Sequence, residues 1–186
     1  MCGIFAYAGT ENAVPLLIDG LRSVEYRGYD SAGIAVIDND GNIRIARRGD
    51  HKASLENLAE ALTGGREPGM DGVVGIGHTR WATHGEVNQK NAHPHSSDDG
   101  VVAIAHNGII ENFQELRDEL AQAGHTLASD TDTEVVCHLI TLNLEQGMAP
   151  VEATKQALDR LVGAFALGII FAGEDGLMIA ARQGSP

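Results

Sequence analysis

Residues 34–46 read IAVIDNDGNIRIA, two short apolar runs on either side of a turn rich in Asp and Gly. Each run is too short for a helix, and the turn holds residue types that reverse the backbone without strain, so the segment predicts an antiparallel hairpin. Residues 168–180, GIIFAGEDGLMIA, repeat this arrangement near the other end of the chain. Working outward, further strand-like runs occur at residues 3–8 (GIFAYA), 73–79 (VVGIGHT) and 101–107 (VVAIAHN). Helical spacing links Val14, Leu17, Ile18, Leu21 and Val24, with Pro15 tolerable in the first turn. It recurs at Phe113, Leu116 and Leu120 before Gly124, at Val135, Leu139 and Leu142 before Gly147, and at Val151, Leu158 and Leu161 after Pro150. A shorter helix fits residues 53–62. Strands that arrive as hairpins, with helices grouped between them, predict an α+β fold rather than a βαβ succession. Several strands lack polar alternation, so both their faces are covered. Two antiparallel sheets stacked on each other and flanked by helices satisfy that.

At 186 residues and 43% hydrophobic composition, residues 1–186 suit a single domain with its own core. The 26 acidic residues outnumber 13 Lys and Arg, and the formal charge of -13 repels nucleic acid and anionic membranes. No apolar stretch approaches the ~18 residues of a membrane span and no charged-then-apolar leader precedes Cys2, which predicts a cytoplasmic protein. Of the two cysteines, Cys137 lies within an apolar helical pattern and reads as a small buried hydrophobe. Cys2 has no such context.

Cys2 follows the initiator Met1 directly. If Met1 is removed, the thiol and a free α-amine share one carbon, and an α-amine of pKa about 7.7–8.0 can accept the thiol proton. Gly3 then allows a substrate close to the backbone. In GIGHTRWATHGEVNQKNAHPH (75–95), Arg80 offers a fork of donors suited to a carboxylate, and Trp81, the only tryptophan, can form a wall or lid. The histidines His78, His84, His93 and His95 invite a metal site, but no HExxH or CxxC spacing supports one. In VVAIAHNGIIEN (101–112), a strand ending at His106 delivers Asn107 and Gly108 to a turn, where a side-chain amide beside a backbone N–H can hold an oxyanion. Within ASDTDTEVV (128–136), Thr131 and Glu134 have capping-box spacing and Asp132 suits the first helical turn; that carboxylate serves a substrate ammonium equally well. In EYRGYDSAG (25–33), Arg27 and Asp30 fit an ion pair at a helix-to-strand junction, which bears on chemistry only if it lies against Cys2.

Taken in order, MCGI, EYRGYDSAG, HTRWATHG, NAHPH, HNGIIEN and SDTDTEV resemble the glutaminase domain of the N-terminal-nucleophile (class II) glutamine amidotransferases. The likeness covers essentially the whole chain. The wording of EYRGYDSAG and HTRWATHG is similar to the glutamine:fructose-6-phosphate aminotransferase branch rather than to the amidophosphoribosyltransferases. The resemblance implies a four-layer αββα sandwich, with L-glutamine as substrate and no metal, nucleotide or flavin. It implies Cys2 as nucleophile and its α-amine as base, Asn107 and Gly108 as oxyanion hole, and Arg27 and Gly28 beside the N-terminal amine. Arg80, with Thr83 and His84, would take the substrate α-carboxylate, Asp132 its α-ammonium, and Trp81 would belong to the covering loop. The family continues into a sugar-phosphate isomerase part that uses the ammonia to make glucosamine 6-phosphate in a homo-oligomeric enzyme, so a C-terminal part beyond these residues is expected. Two other readings stay open: a glutaminase feeding another acceptor, such as a phosphoribosyl substrate, and a catalytically silent glutamine-binding domain.

The expected mature chain begins at Cys2. Intact-mass measurement of active protein checks this, and an active species that retains Met1 overturns it.

Overall fold

The structure, a computed structural model, describes residues 2–49, 53–81, 86–174 and 176–185. Its strands are β1 (Gly3–Ala8), β2 (Ser31–Ile37), β3 (Ile43–Arg48), β4 (Val74–Arg80), β5 (His95–Ser96), β6 (Val102–Ile110), β7 (Gly163–Phe171) and β8 (Met178–Gln183). The helices are α1 (Ala13–Val24), α2 (Ser54–Thr63), α3 (Phe113–Gln122), α4 (Glu134–Glu145) and α5 (Pro150–Leu158). Both expected hairpins form, with Ile37 opposite Ile43 in β2/β3 and Ile170 opposite Met178 in β7/β8. The strands assemble into two antiparallel sheets, ordered β1-β4-β2-β3 and β5-β6-β7-β8.

Helix ends follow from local chemistry. Asn12 Oδ1 accepts the Val14 N–H at the start of α1. Gly124 and Gly147 take positive φ just past α3 and α4, and the next residue's N–H reaches back to the Leu120 and Asn143 carbonyls. The capping-box spacing is not used as expected. Helix α4 starts at Glu134 behind Thr133, and the Glu134 carboxylate instead accepts the N–H groups of Ala128 and Ser129.

Three apolar layers hold the four structural ones together. Leu17, Ile18 and Leu21 of α1 and Leu55 and Leu58 of α2 pack with Ile34 and Val36 on one sheet. Val135, Leu139 and Ile140 of α4 and Ala153 and Ala157 of α5 pack with Val102, Ile104 and Ile169 on the other. Between the sheets lie Ala35, Ile37, Val74, Ile76, Ala103, Ala105 and Ile170. The order helix, sheet, sheet, helix is the αββα sandwich expected, and small alanines let the sheets approach closely.

Strand periodicity turns this middle layer into a site. On β4, Val74 and Ile76 face the other sheet, and the next residues of that row are His78 and Arg80. On β6 the row Ala103 and Ala105 leads to Asn107, and on β1 the row containing Ile4 leads back to Cys2. One end of the dry inter-sheet layer is therefore polar. The strand expected to end at His106 instead runs on to Ile110, because Asn107, Gly108, Ile109 and Ile110 pair with Ala166, Phe165, Ala164 and Gly163. Cross-strand pairing overrides the Asn-Gly turn preference here.

The same end buries histidines. Burial lowers His78 and His95 to about 3 and His93 well below its ordinary value, so all three are neutral. The unfolded chain binds protons on these groups below pH ~6.5, whereas the folded chain does not, so stability falls as pH drops through that value. Each contributes a slope of up to about 1.4 kcal/mol per pH unit, ending for His78 and His95 near pH 3. Thermal melts are expected to show Tm falling steadily from pH 7 to pH 4.5; a flat profile over that interval overturns the assignment.

Candidate active site

Cys2 lies at the start of β1, its Sγ against the backbone at the end of β4. The Trp81 N–H donates to Sγ at 3.2 Å and the thiol is 3.4 Å from the Trp81 carbonyl. Burial pushes the thiol above its ordinary range, outweighing the Trp81 N–H and the Arg80 charge, which both favour thiolate. A thiol so placed needs a base to become a nucleophile at neutral pH. The Cys2 carbonyl is gripped from two sides, by Arg27 Nε and by Asn107 Nδ2, each at 3.2 Å. Arg27 thus turns to Cys2, which places the 25–33 junction against the thiol, as its chemical reading required. Gly28 serves the same contact: a Cβ there would come within 2.7 Å of the Arg80 carbonyl carbon and 2.8 Å of the Trp81 nitrogen.

Gly3 proves to be an architectural residue. A Cβ there would collide with Val24 of α1 and with Thr79, on the face turned away from the inter-sheet layer, so its role is helix packing rather than substrate access.

A cavity of about 480 Å³ opens beside Cys2 and is lined by Arg80, Trp81, Asn107, Gly108 and Asp132, among others. Arg80 is 4% exposed, and burial lowers its pKa while the neighbouring Cys2, Asp30 and Asp132 act in the opposite direction. Asp132, also 4% exposed, is fixed by the Ile110 N–H at 2.8 Å, with its other oxygen 3.8 Å from His106 Nδ1. A buried cation and a buried anion thus line one chamber, an arrangement complementary to a zwitterionic amino acid. Gly108 has φ 121°, and a Cβ would lie 2.0 Å from the Ala164 carbonyl oxygen, so only glycine fits. Trp81 is 47% exposed and meets Tyr29 edge-on at 5.8 Å, forming a wall at the mouth.

Of the residues expected from sequence, Cys2, Arg27, Arg80, Trp81, Asn107, Gly108 and Asp132 line this one cavity, and Gly28 supports it from behind. Thr83 and His84 lie outside the described residues. The described histidines among those weighed as metal ligands have protein partners: His78 Nε2 faces the His106 carbonyl, His93 Nδ1 the His106 N–H, and His95 Nε2 the Thr131 hydroxyl. Among the described residues, no group of three or more His, Cys, Asp or Glu side chains is placed to hold a metal ion. His93, His106 and Thr131 also line the cavity, and sequence reading did not place them there. His106 stands next to Asn107 on a strand, where the period of 2 sends it to the opposite face, and there its Nδ1 meets Thr133 Oγ1, just before α4, at 2.8 Å.

Comparison with known proteins shows the family and the fold. The family described as "Glutamine amidotransferase domain" matches residues 78–184. Over all 186 residues the chain is 54% identical to the glutamine--fructose-6-phosphate aminotransferase [isomerizing] of Mesorhizobium japonicum and 51% identical to that of Brucella suis. It spans 29% of the length of each. Among solved structures, the glutamine phosphoribosylpyrophosphate amidotransferase of B. subtilis, complexed with ADP and GMP, superposes with a TM-score of 0.75 at 29% identity, over 98% of this chain and 37% of that one. The αββα sandwich is thus the N-terminal-nucleophile hydrolase fold. Among the described residues no helix is long and apolar enough to cross a membrane.

Gly108→Ala is expected to destabilise the fold by at least ~2 kcal/mol, since the added methyl meets backbone that cannot move independently. Urea unfolding measures this, and a variant as stable as the parent overturns the close-approach reading.

Proposed function

The chain belongs to the glutamine amidotransferase family, and on that premise we propose that it hydrolyses the side-chain amide of L-glutamine through a γ-glutamyl thioester on Cys2. The observation that carries this is the convergence of Cys2, Arg80, Asn107, Gly108 and Asp132 on one cavity. Arg80 takes the α-carboxylate of glutamine and Asp132 its α-ammonium, which directs the side-chain amide toward Cys2. The raised thiol pKa calls for an adjacent base. Removal of Met1 converts the Cys2 peptide nitrogen into a free amine on the carbon that carries the thiol side chain. That amine takes the thiol proton, directly or through one water, as Sγ attacks the amide carbon.

The tetrahedral oxyanion rests on Asn107 Nδ2 and the Gly108 N–H. Collapse breaks the C–N bond, the amine returns its proton to the leaving nitrogen, and ammonia departs. Water then attacks the thioester, releasing glutamate and regenerating the thiol. Arg27 holds the Cys2 carbonyl so that Sγ keeps its aim. Trp81 belongs to the segment that covers the bound substrate, and Thr83 and His84 assist Arg80 with the substrate α-carboxylate.

The identity to two bacterial glutamine--fructose-6-phosphate aminotransferases, higher than that to the phosphoribosylpyrophosphate amidotransferase, supports a sugar phosphate as the acceptor of the ammonia and an amino sugar phosphate as the product. The chain spans 29% of those relatives, so transfer belongs to a C-terminal part beyond these residues.

Asn107→Ala is expected to lower kcat for glutamine hydrolysis by about 10²- to 10³-fold, the usual effect of losing one oxyanion donor. An electrophilic glutamine analogue should add one adduct to the wild-type mass and none to Cys2→Ser. Full turnover by Asn107→Ala, or an adduct on the Ser variant, overturns the mechanism.

A further inference from the structure

Asn107 can serve as a donor only if its carboxamide is turned the right way, and nothing in the amide itself decides that. The neighbouring atoms do. His78 Nε2 lies 2.9 Å from the His106 carbonyl oxygen and 2.9 Å from Asn107 Oδ1. A backbone carbonyl cannot donate, so Nε2 must carry the ring proton. That N–H then requires an acceptor at the near end of the Asn107 amide, which is Oδ1. Nδ2 is left pointing to the Cys2 carbonyl, 3.2 Å away. Flipping the amide would bring NH₂ against N–H at one end and oxygen against oxygen at the other.

We propose that His78 is a positioning residue of this site, whose Nε2–H, anchored by the His106 carbonyl, holds the Asn107 carboxamide with Nδ2 facing the nucleophile. The inference rests on the glutaminase reading for its catalytic meaning, though not for its geometry. His78 sits on β4, two residues before Arg80 in the same inward row, and is fully buried. Its ring lies against that of His93, with centroids 4.3 Å apart. His93 is itself locked, because Nδ1 accepts the His106 N–H and Nε2 faces Thr133 Oγ1. A chain of contacts thus runs from Thr133, the residue before α4, through His93 to His78 and on to the amide.

Fold stability accounts for only one of the two ring nitrogens, through the Nε2 contact with the buried His106 carbonyl. The other, Nδ1, is buried and finds no hydrogen-bond partner among the described residues, a defect that an apolar side chain of similar size would avoid. Burial also keeps the ring neutral, so it sets direction without adding a charge beside Arg80.

The test compares His78→Leu, His78→Gln, Asn107→Ala and the His78→Leu/Asn107→Ala double variant. His78→Leu is expected to lower kcat for glutamine about 10- to 100-fold with KM changed less than about threefold, as loss of a supporting hydrogen bond does elsewhere. Glutamine at this position can put its amide N–H near the Nε2 site, so His78→Gln should recover most of that loss. In the Asn107→Ala background His78→Leu should have no further effect, because its target is gone. Full additivity in the double variant, or no recovery in His78→Gln, overturns the proposal and leaves a packing role. Independently of turnover, long-range ¹H–¹⁵N correlation of the wild-type ring should show a protonated Nε2; a proton on Nδ1 overturns the proposal outright. If wild-type protein releases no ammonia from glutamine, the glutaminase reading fails while the ring tautomer still decides the part of His78.

Discussion

The structure depends on how a dry layer between two sheets is brought to an end. Val74 and Ile76 on one side and Ala103, Ala105 and Ile170 on the other exclude water along the sandwich. Beyond them the same rows continue with His78, Arg80 and Asn107, and polar groups in such a place are costly unless partnered. The partners are close at hand. Asn107 bridges the His78 ring and the Cys2 carbonyl, Arg27 grips that carbonyl from the other side, and the Trp81 N–H meets the thiol. The candidate site sits at a margin where the core gives way to hydrogen-bonded groups still largely shielded from solvent.

That shielding sets the electrostatics. The thiol is raised and the histidines stay neutral for one reason, desolvation, while Arg80 retains charge in the company of Asp30 and Asp132. On the proposed reading, a zwitterionic substrate would meet groups already in place, with little reorganisation needed. Supporting atoms come from both sheets and from the residues just before α4, so the site is a product of how the layers stack rather than of any one loop.

Much of this was legible in the sequence. Apolar runs around Asp-Gly turns identified both hairpins, and glycines at Gly124 and Gly147 marked where α3 and α4 stop. Cys2, Arg80, Asn107, Gly108 and Asp132 were legible through residue chemistry and motif order, and they meet in one cavity. What escaped depends on contacts far apart in the chain. Gly108 looked like a turn residue because a dipeptide carries no information about Ala164 and Phe165 across the ladder. Glu134 looked like half of a capping box, although Ala128 and Ser129 offered its carboxylate better donors. The two-residue strand β5 is too short to leave a periodic trace. The part of His78 escaped because spacing cannot show that its neighbour in space is the carbonyl of His106.

The alternation that carries each strand from core to site also decides which genetic changes the chain can absorb. On β4, Gly75 and Gly77 lie against Leu17 and Leu21 of α1, while Ile76 and His78 face the other sheet. A substitution disturbs one position, whereas a single inserted or deleted codon early in β4 exchanges the two faces, placing Gly77 or Thr79, respectively, where His78 stood and ending the inward row one residue out of step. Reading-length changes in these strands are therefore all-or-nothing events. The tolerated ones belong in the connections, such as the turn after Asp38, where the side chain of Asp38 already ties together the backbone of Asp40 and Asn42 and can close a loop of altered length. Divergence in such a fold accumulates as letters within strands and as lengths between them.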